Sequence, residues 1–96
     1  MFLNIKKVGN QTICAICDAE ILGKTFKDGE IVFHVNEQFY KGQKMSIEKA
    51  FEYIENSTIV NMAGRNIVRK AIEKKYVHPE AILNIGEILH AQIIKF

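Results

Sequence analysis

Several features that define common protein classes are missing from this sequence. No apolar run approaches the roughly 18 residues that a bilayer span requires, so no membrane segment is expected. Met1 leads into the alternating stretch Phe2-Leu3-Asn4-Ile5 rather than into a basic start and an apolar block, so we expect no signal peptide and a cytoplasmic location. The formal net charge at pH 7 is only +2, which by itself does not indicate a nucleic-acid partner.

Motifs for nucleotide hydrolysis and for metal binding are also absent. Gly23-Lys24-Thr25 resembles the end of a phosphate-binding loop, but Asp18 stands where that loop needs its first glycine. The sequence has no Gly-x-Ser-x-Gly nucleophile elbow, no glycine-rich dinucleotide fingerprint and no His-Glu-x-x-His spacing. We therefore reject nucleotide hydrolysis and expect no cofactor and no metal site.

Cys14 and Cys17 are the only cysteines, and their Cys-Ala-Ile-Cys spacing is that of some redox motifs. They stand within Thr12–Cys17, a β-like run, and residues three apart on a strand point to opposite faces. A tetrahedral zinc site would need two further ligands, which no second cysteine pair supplies. We predict that both thiols are small buried core side chains.

The pattern of apolar residues predicts a single α+β domain. The chain has 96 residues, 48% of them apolar, which is enough for one small core. The predicted order is strand, strand, strand, helix, helix, strand, strand, at Phe2–Val8, Thr12–Cys17, Ile31–Val35, Ile47–Glu55, Met62–Tyr76, Ile82–Ile85 and Ile88–Ile94. Because helices and strands are segregated, we expect a mainly antiparallel sheet of about five strands with two helices packed on one face. The predicted core contains Phe33, Phe51, Ile54, Ile67 and Ala71.

Asp18 and Glu20 follow the second predicted strand and form the sharpest candidate acid pair. Two carboxylates at a controlled separation serve hydrolases, and one or two serve magnesium sites. The alternative is structural, since Asp18 suits the N-cap of the turn that follows and Glu20 suits its first turn. A small hydrolase or transferase centred on Cys17, Asp18, Glu20 and His90 is one functional hypothesis.

His90 and Gln92 share one face of the last predicted strand. If that face lies near Asp18 to Lys24, then Asp18, Glu20, Lys24, His90 and Gln92, together with Tyr40, would form a ligand or partner site, with His90 as an acid–base candidate. The alternative is a closed hydrogen-bonded network that only holds the fold together. A third hypothesis is a structural or homo-oligomeric protein that forms a homodimer through the exposed edge of the last strand.

Basic residues crowd onto the outer face of the second predicted helix. Arg65, Arg69, Lys70 and Lys74 lie within roughly half of its circumference, and such a stripe can meet phosphates. Tyr40 is the candidate base-stacking ring. The alternative is a solvated face whose late cations suit a helix C-terminus. The preferred interpretation is a non-enzymatic binding module for RNA or a ribonucleoprotein.

Four groups of residues carry a resemblance to a known family: Ile16-Cys17-Asp18 with Glu20, Leu22, Gly23 and Lys24; Phe39-Tyr40 with Gly42; Asn61 with Gly64; and His90-Ala91-Gln92. On these the chain resembles, over nearly its whole length, the small archaeal family designated domain of unknown function four-two-four. The resemblance implies an archaeal cytoplasmic protein with a small α+β fold and a link to the translation apparatus. It brings no established activity, cofactor or catalytic residue.

Overall fold

A computed structural model describes residues 1–95 of the chain. Its strands are β1 (Phe2–Val8), β2 (Gln11–Cys17), β3 (Thr25–Asp28), β4 (Ile31–His34), β5 (Gln43–Lys44), β6 (Ile59–Ala63), β7 (Leu83–Ile85) and β8 (Ile88–Ile94). The α-helices are α1 (Glu37–Tyr40), α2 (Ile47–Glu55) and α3 (Arg65–Glu73). Short 3-10 turns occupy Ala19–Ile21 and Pro79–Ala81.

Six of the strands form one mixed sheet in the order β5-β1-β2-β6-β8-β7, while β3 and β4 form a separate hairpin. The central pair β2 and β6 is parallel, with Cys14 opposite Val60, and the other neighbours are antiparallel. The α+β class is confirmed. The finer prediction of a mainly antiparallel sheet of about five strands with two helices is corrected to a mixed six-stranded sheet with three helices.

The error arose at β6, which lies between α2 and α3. The prediction began a helix at Met62, whereas Met62 and Ala63 are the last residues of β6 and α3 begins at Arg65. A short apolar run cannot be assigned to helix or strand by periodicity alone. At its other end α3 stops at Glu73 rather than Tyr76, and Lys75 adopts a positive φ of 66°.

One face of the six-stranded sheet, called here the helix face, is covered by α2 and α3. Its core joins side chains of β1, β2, β6 and β8 to the inner sides of both helices: Leu3, Cys14, Ile16, Ala50, Phe51, Ile54, Val60, Met62, Ile67, Val68, Ala71 and Ala91. Four of the five predicted core residues are among them. Because the apolar positions of both helices fall on one side, burial of that side against the sheet stabilises the helices.

The opposite face, called here the hairpin face, is covered in part by the β3–β4 hairpin and α1. Its core contains Ala15, Cys17, Ile21, Val35, Tyr40, Ala63, Ile85 and Ile88. Phe33, predicted as core, is half-buried against this cluster. Cys14 and Cys17 are both buried free thiols on opposite faces, as their spacing predicts.

Local signals explain the helix ends. Ser46 Oγ accepts a hydrogen bond from the Lys49 N–H at 3.2 Å, so α2 begins with an ordinary serine cap. At the other end of α2, Lys95 Nζ donates to the carbonyl oxygens of Ile54 and Glu55 at 2.9 and 3.0 Å.

Within residues 1–95 every helix is too short or too polar to cross a membrane.

Candidate functional site

Asp18 joins the end of β2 to the beginning of α3. Its backbone N–H donates to the Ala63 carbonyl at 3.0 Å, and its side chain is only 3% exposed. Oδ2 accepts from the Asn66 N–H at 2.9 Å, and Oδ1 accepts from the Ile67 N–H at 3.0 Å. These N–H groups belong to the first turn of α3, which lacks intrahelical partners for them. Asp18 therefore caps a helix that begins 47 positions later in the chain.

Gly64 stands at the N-cap position of α3, where a serine or aspartate would normally supply the cap. Its φ is +120°, and a Cβ at this position would lie 2.4 Å from Asp18 Cγ. A side chain at position 64 would thus occupy the volume that the Asp18 carboxyl fills. Asp18 and Gly64 form one structural unit, called here the Asp18–Gly64 cap.

The predicted capping role of Asp18 was assigned to the wrong element. Asp18 precedes the 3-10 turn Ala19–Ile21, but its side chain makes no capping hydrogen bond to that turn. Burial raises the pKa of the Asp18 carboxyl, and the N–H donors of Asn66 and Ile67 oppose that rise. Helix N-termini bind anions, and here the Asp18 carboxyl occupies that position in α3.

A cavity of about 350 Å³ lies beside the Asp18–Gly64 cap. Its lining includes Asp18, Glu20, Lys24, Phe26, Arg65 and Glu87. A neighbouring cavity of about 610 Å³ shares Lys24, Phe26 and Glu87 with it. Both volumes fall within the range of about 300–1,000 Å³ that is typical of small-molecule sites. The cavity therefore contains three of the residues predicted for a ligand site: Asp18, Glu20 and Lys24.

Two contacts fix the polar side chains at this cavity. Arg65 Nε donates to the Glu87 carbonyl oxygen at 2.7 Å, which joins the first residue of α3 to the β7–β8 turn. Glu20 is exposed, and its Oε1 accepts from Asn66 Nδ2 at 3.5 Å. The Glu20 carboxylate therefore keeps most of its acceptor capacity toward solvent.

His90 lies away from this cavity. Cys17, Ala63 and His90 are successive partners across β2, β6 and β8 on the hairpin face, so β6 separates Cys17 from His90. The His90 ring packs against Phe33 with a centroid distance of 5.1 Å, and burial lowers its pKa. Gln92 shares the hairpin face and is exposed. The structure thus brings Asp18, Glu20 and Lys24 together and places His90 and Gln92 elsewhere.

Cys17 and Tyr40 are packed into the core of the hairpin face. Cys17 is fully buried, and burial, followed by the charge of Asp18, raises the pKa of its thiol to about 12. Tyr40 is 3% exposed and contacts the rings of Phe33 and Phe39 edge to face, at centroid distances of 6.5 and 4.9 Å. The predicted role of Tyr40 as a base-stacking ring is therefore corrected, because a nucleobase has no access to it.

The basic residues of α3 differ in how they are engaged. Arg65 and Arg69 are exposed. Lys70 Nζ lies 3.4 Å from Glu73 Oε1, and Lys74 Nζ lies 5.2 Å from the centre of the Phe51 ring. All four cations border the solvent side of α3, because its inner side faces the sheet. Arg69 makes no ion pair or side-chain hydrogen bond within residues 1–95.

Sequence reasoning missed Phe26 and Glu87, which line the cavity, and the pairing of Gly64 with Asp18. Phe26 belongs to β3, a strand that the alternation did not predict. The signal available for Gly64 was its place inside the predicted helix Met62–Tyr76, because a glycine within a helical pattern is unfavourable and can mark the helix boundary. Within residues 1–95 no group of three or more His, Cys, Asp or Glu side chains is arranged to hold a metal ion.

The pattern of a family described as "Protein of unknown function (DUF424)" matches residues 6–96, and the chain belongs to this family. A crystal structure of an uncharacterized conserved protein from Methanopyrus kandleri has the same fold, with a TM-score of 0.81 and 24% sequence identity. The similarity covers 99% of this chain and 92% of that one. A comparison with curated proteins finds none that matches this chain. The function of the family is unknown, so a specific role has to be argued from the site.

Proposed function

We propose that this protein is a non-enzymatic module that binds RNA through the outer surface of α3. The observation that carries the proposal is the arrangement of Arg65, Arg69, Lys70 and Lys74 along one helix whose inner side is anchored in the core. From Arg65 to Lys74 the helix rises by about 14 Å, with Arg65 and Arg69 on one flank of its outer surface and Lys70 and Lys74 on the other, so a strand that crosses this surface obliquely can meet both pairs of cations.

The state of the catalytic candidates favours binding over catalysis. Both Asp18 carboxylate oxygens accept backbone hydrogen bonds, and the thiol of Cys17 is fully buried. A nucleophilic thiol needs a lowered pKa and access to substrate, whereas burial raises the pKa of Cys17 to about 12. His90 contacts Phe33 rather than an acid partner. Of the four candidates Glu20 alone is exposed at the cavity, so the alternative hydrolase or transferase would have to use three groups that the fold already employs.

The electrostatics of α3 agree with a phosphate ligand. Glu73 is the one acidic residue between Arg65 and Lys74, and it contacts Lys70. Arginine binds phosphate through two parallel N–H groups, and Arg69 is exposed and has such a fork available. The net charge of the whole chain is only +2, so the chain has no large overall excess of positive charge. The cations concentrated on α3 would therefore be what attracts a phosphate ligand.

The test is binding of a fluorescein-labelled single-stranded RNA of ten nucleotides, measured by fluorescence anisotropy from 25 to 300 mM salt. If about four phosphates are contacted, log K should fall with log salt with a slope of about −3. Replacing Arg65, Arg69, Lys70 and Lys74 together by glutamate should abolish binding, while circular dichroism confirms that the variant is folded.

A single-charge comparison separates a specific surface from general electrostatics. Arg69→Glu should weaken binding and make the salt slope less steep by about one contact. The matched control is Lys49→Glu on α2, which reverses the same charge at an exposed helical position. Equal losses in the two variants, or no RNA binding by the unmodified protein at 25 mM salt, would contradict the proposal.

A further inference from the structure

We infer that the cavity beside the Asp18–Gly64 cap holds one nucleotide of the RNA that lies along α3, with its base stacked on Phe26. This inference rests on the proposed function and assigns a role to Glu20, Lys24, Phe26 and Arg65. Together these side chains supply an aromatic ring, two cations and a carboxylate at one opening, which matches the parts of a nucleotide.

The cavity continues the surface of α3. Arg65 lines the cavity, and Arg69 lies one turn further along the same side of the helix. A strand that contacts Arg69 therefore reaches the cavity within one or two nucleotides. The strand would leave the helix at its first turn and enter the space between α3 and β3.

The phosphate of this nucleotide must be bound by side chains, because the N-terminus of α3 is already occupied. The Asn66 and Ile67 N–H groups, which could otherwise bind an anion, already donate to Asp18. Lys24 is exposed at the cavity. Arg65 uses only Nε for the Glu87 carbonyl, and the rest of its five N–H donors are left for a phosphate. The contact with Glu87 holds the guanidinium at the rim.

Phe26 is the side chain suited to the base. It is half-buried, packs against the core of the hairpin face, and lines both the 350 Å³ cavity and the neighbouring 610 Å³ cavity. Unpaired bases of RNA are commonly stacked on aromatic side chains, and the π-face of every base can take part. The ring thus accounts for affinity without specifying a sequence.

Glu20 supplies the specificity. A carboxylate accepts hydrogen bonds from exocyclic amino groups, such as N4 of cytosine, whereas the single N3–H donor of uracil lies between two carbonyl oxygens that repel a carboxylate. The Glu20 carboxylate is exposed at the cavity, with one long contact from Asn66. A base that carries an amino group is therefore favoured over uracil.

The first experiment tests stacking by anisotropy titration with labelled oligocytidylate of ten nucleotides. Phe26→Leu keeps an apolar side chain but removes the ring, and it should weaken binding by about tenfold. The matched control is Phe39→Leu, since Phe39 is also half-buried but lies beside Lys6 of β1, away from the cavity. Unchanged affinity of Phe26→Leu, or an equal loss in Phe39→Leu, would overturn the inference.

The second experiment tests base preference. The unmodified protein should bind oligocytidylate at least about fivefold more tightly than oligouridylate, and Glu20→Gln should reduce that ratio toward one. In addition, the amide resonances of Lys24 and Asn66 in the unmodified protein should shift when oligocytidylate is added. Shifts confined to the outer residues of α3, with no base preference, would overturn the inference and leave the proposed function standing.

Discussion

The helix face and the hairpin face of the same sheet are built differently. On the helix face α2 and α3 cover the strands, and the Asp18 carboxylate fixes the start of α3 by accepting two hydrogen bonds from its backbone N–H groups. On the hairpin face the cover is partial, and Gln92 and Ile94 are exposed, Ile94 by 52%. The family motif near Asp18 is therefore hydrogen-bonded to a helix of the helix face. The family motif at His90-Ala91-Gln92 is held on the hairpin face by the contact of His90 with Phe33 and borders solvent.

The largest effect is expected at Gly64. Gly64→Ala places a Cβ 2.4 Å from Asp18 Cγ and forces an L-residue to adopt a φ of +120°. Backbone strain of about 1–3 kcal/mol, in a region that essentially only glycine adopts, and the loss of the cap together should lower the free energy of unfolding by about 3 kcal/mol. Urea denaturation of the two proteins measures this difference in the free energy of unfolding.

Gly9→Ala is the matched control for this prediction. Gly9 also has a positive φ, of 60°, but nothing lies within 4 Å of the position that its Cβ would take. Only the backbone strain applies to it. Equal losses in the two variants would show that the contact with Asp18 contributes little.

The next largest effect is expected at Asp18 itself. Asp18→Ala leaves the Asn66 and Ile67 N–H groups without acceptors and should lower the free energy of unfolding by about 2 kcal/mol. Asp18→Asn should cost less, because its remaining oxygen still accepts one of these bonds. Glu20→Ala is the control and should change the urea midpoint little, since Glu20 is exposed. A larger loss for Glu20→Ala than for Asp18→Ala would contradict the capping role.

A smaller, pH-dependent effect is expected at His90 on the hairpin face. Burial lowers the pKa of His90 in the folded state below its value of about 6.5 in the unfolded chain. The neutral ring is thus favoured by folding, and the stability that it contributes is present above pH 6.5 and is lost as the pH falls through the folded-state pKa. Relative to His90→Gln, the unmodified protein should become less stable between pH 7 and 5. Parallel pH profiles of the two proteins would contradict this.

The smallest effect is expected in the uncovered part of the hairpin face. Gln92 is exposed on β8 and makes no side-chain hydrogen bond within residues 1–95. Gln92→Ala should change the free energy of unfolding by no more than about 0.5 kcal/mol. A loss above about 1 kcal/mol would show that this part of the sheet is covered in solution, as a second copy of the chain would cover it.

The elements that the sequence predicts well combine a regular run of apolar residues with turn or capping residues that mark where the element begins or ends. β1 and β2 are seven-residue strands on either side of Gly9-Asn10, β8 is a seven-residue strand that follows Gly86-Glu87, and α2 combines an apolar stripe with the Ser46 cap. β6 was missed because four of its five residues are apolar and its last two, Met62 and Ala63, were attributed to a helix. β3 was missed because Thr25–Asp28 has a single apolar side chain and pairs only with β4.

The candidate site was predictable only where neighbours in sequence are neighbours in space. Asp18, Glu20 and Lys24 share one cavity because they flank a single 3-10 turn. The partners of Asp18 lie on α3, and no local pattern links positions 18 and 66. His90 was grouped with Asp18 on the condition that its strand lies near Asp18 to Lys24, whereas β6 lies between β2 and β8.

The parallel pairing of β2 with β6 has a consequence for how the chain folds. The β1–β2 and β7–β8 pairs are hairpins that close over a few residues, whereas Cys14 and Val60 are 46 positions apart. Loop-closure entropy makes such distant contacts slow to form. The two hairpins should therefore form before the central β2–β6 pair, whose closure is the slow step, so that destabilising variants at Cys14 or Val60 should lower the refolding rate.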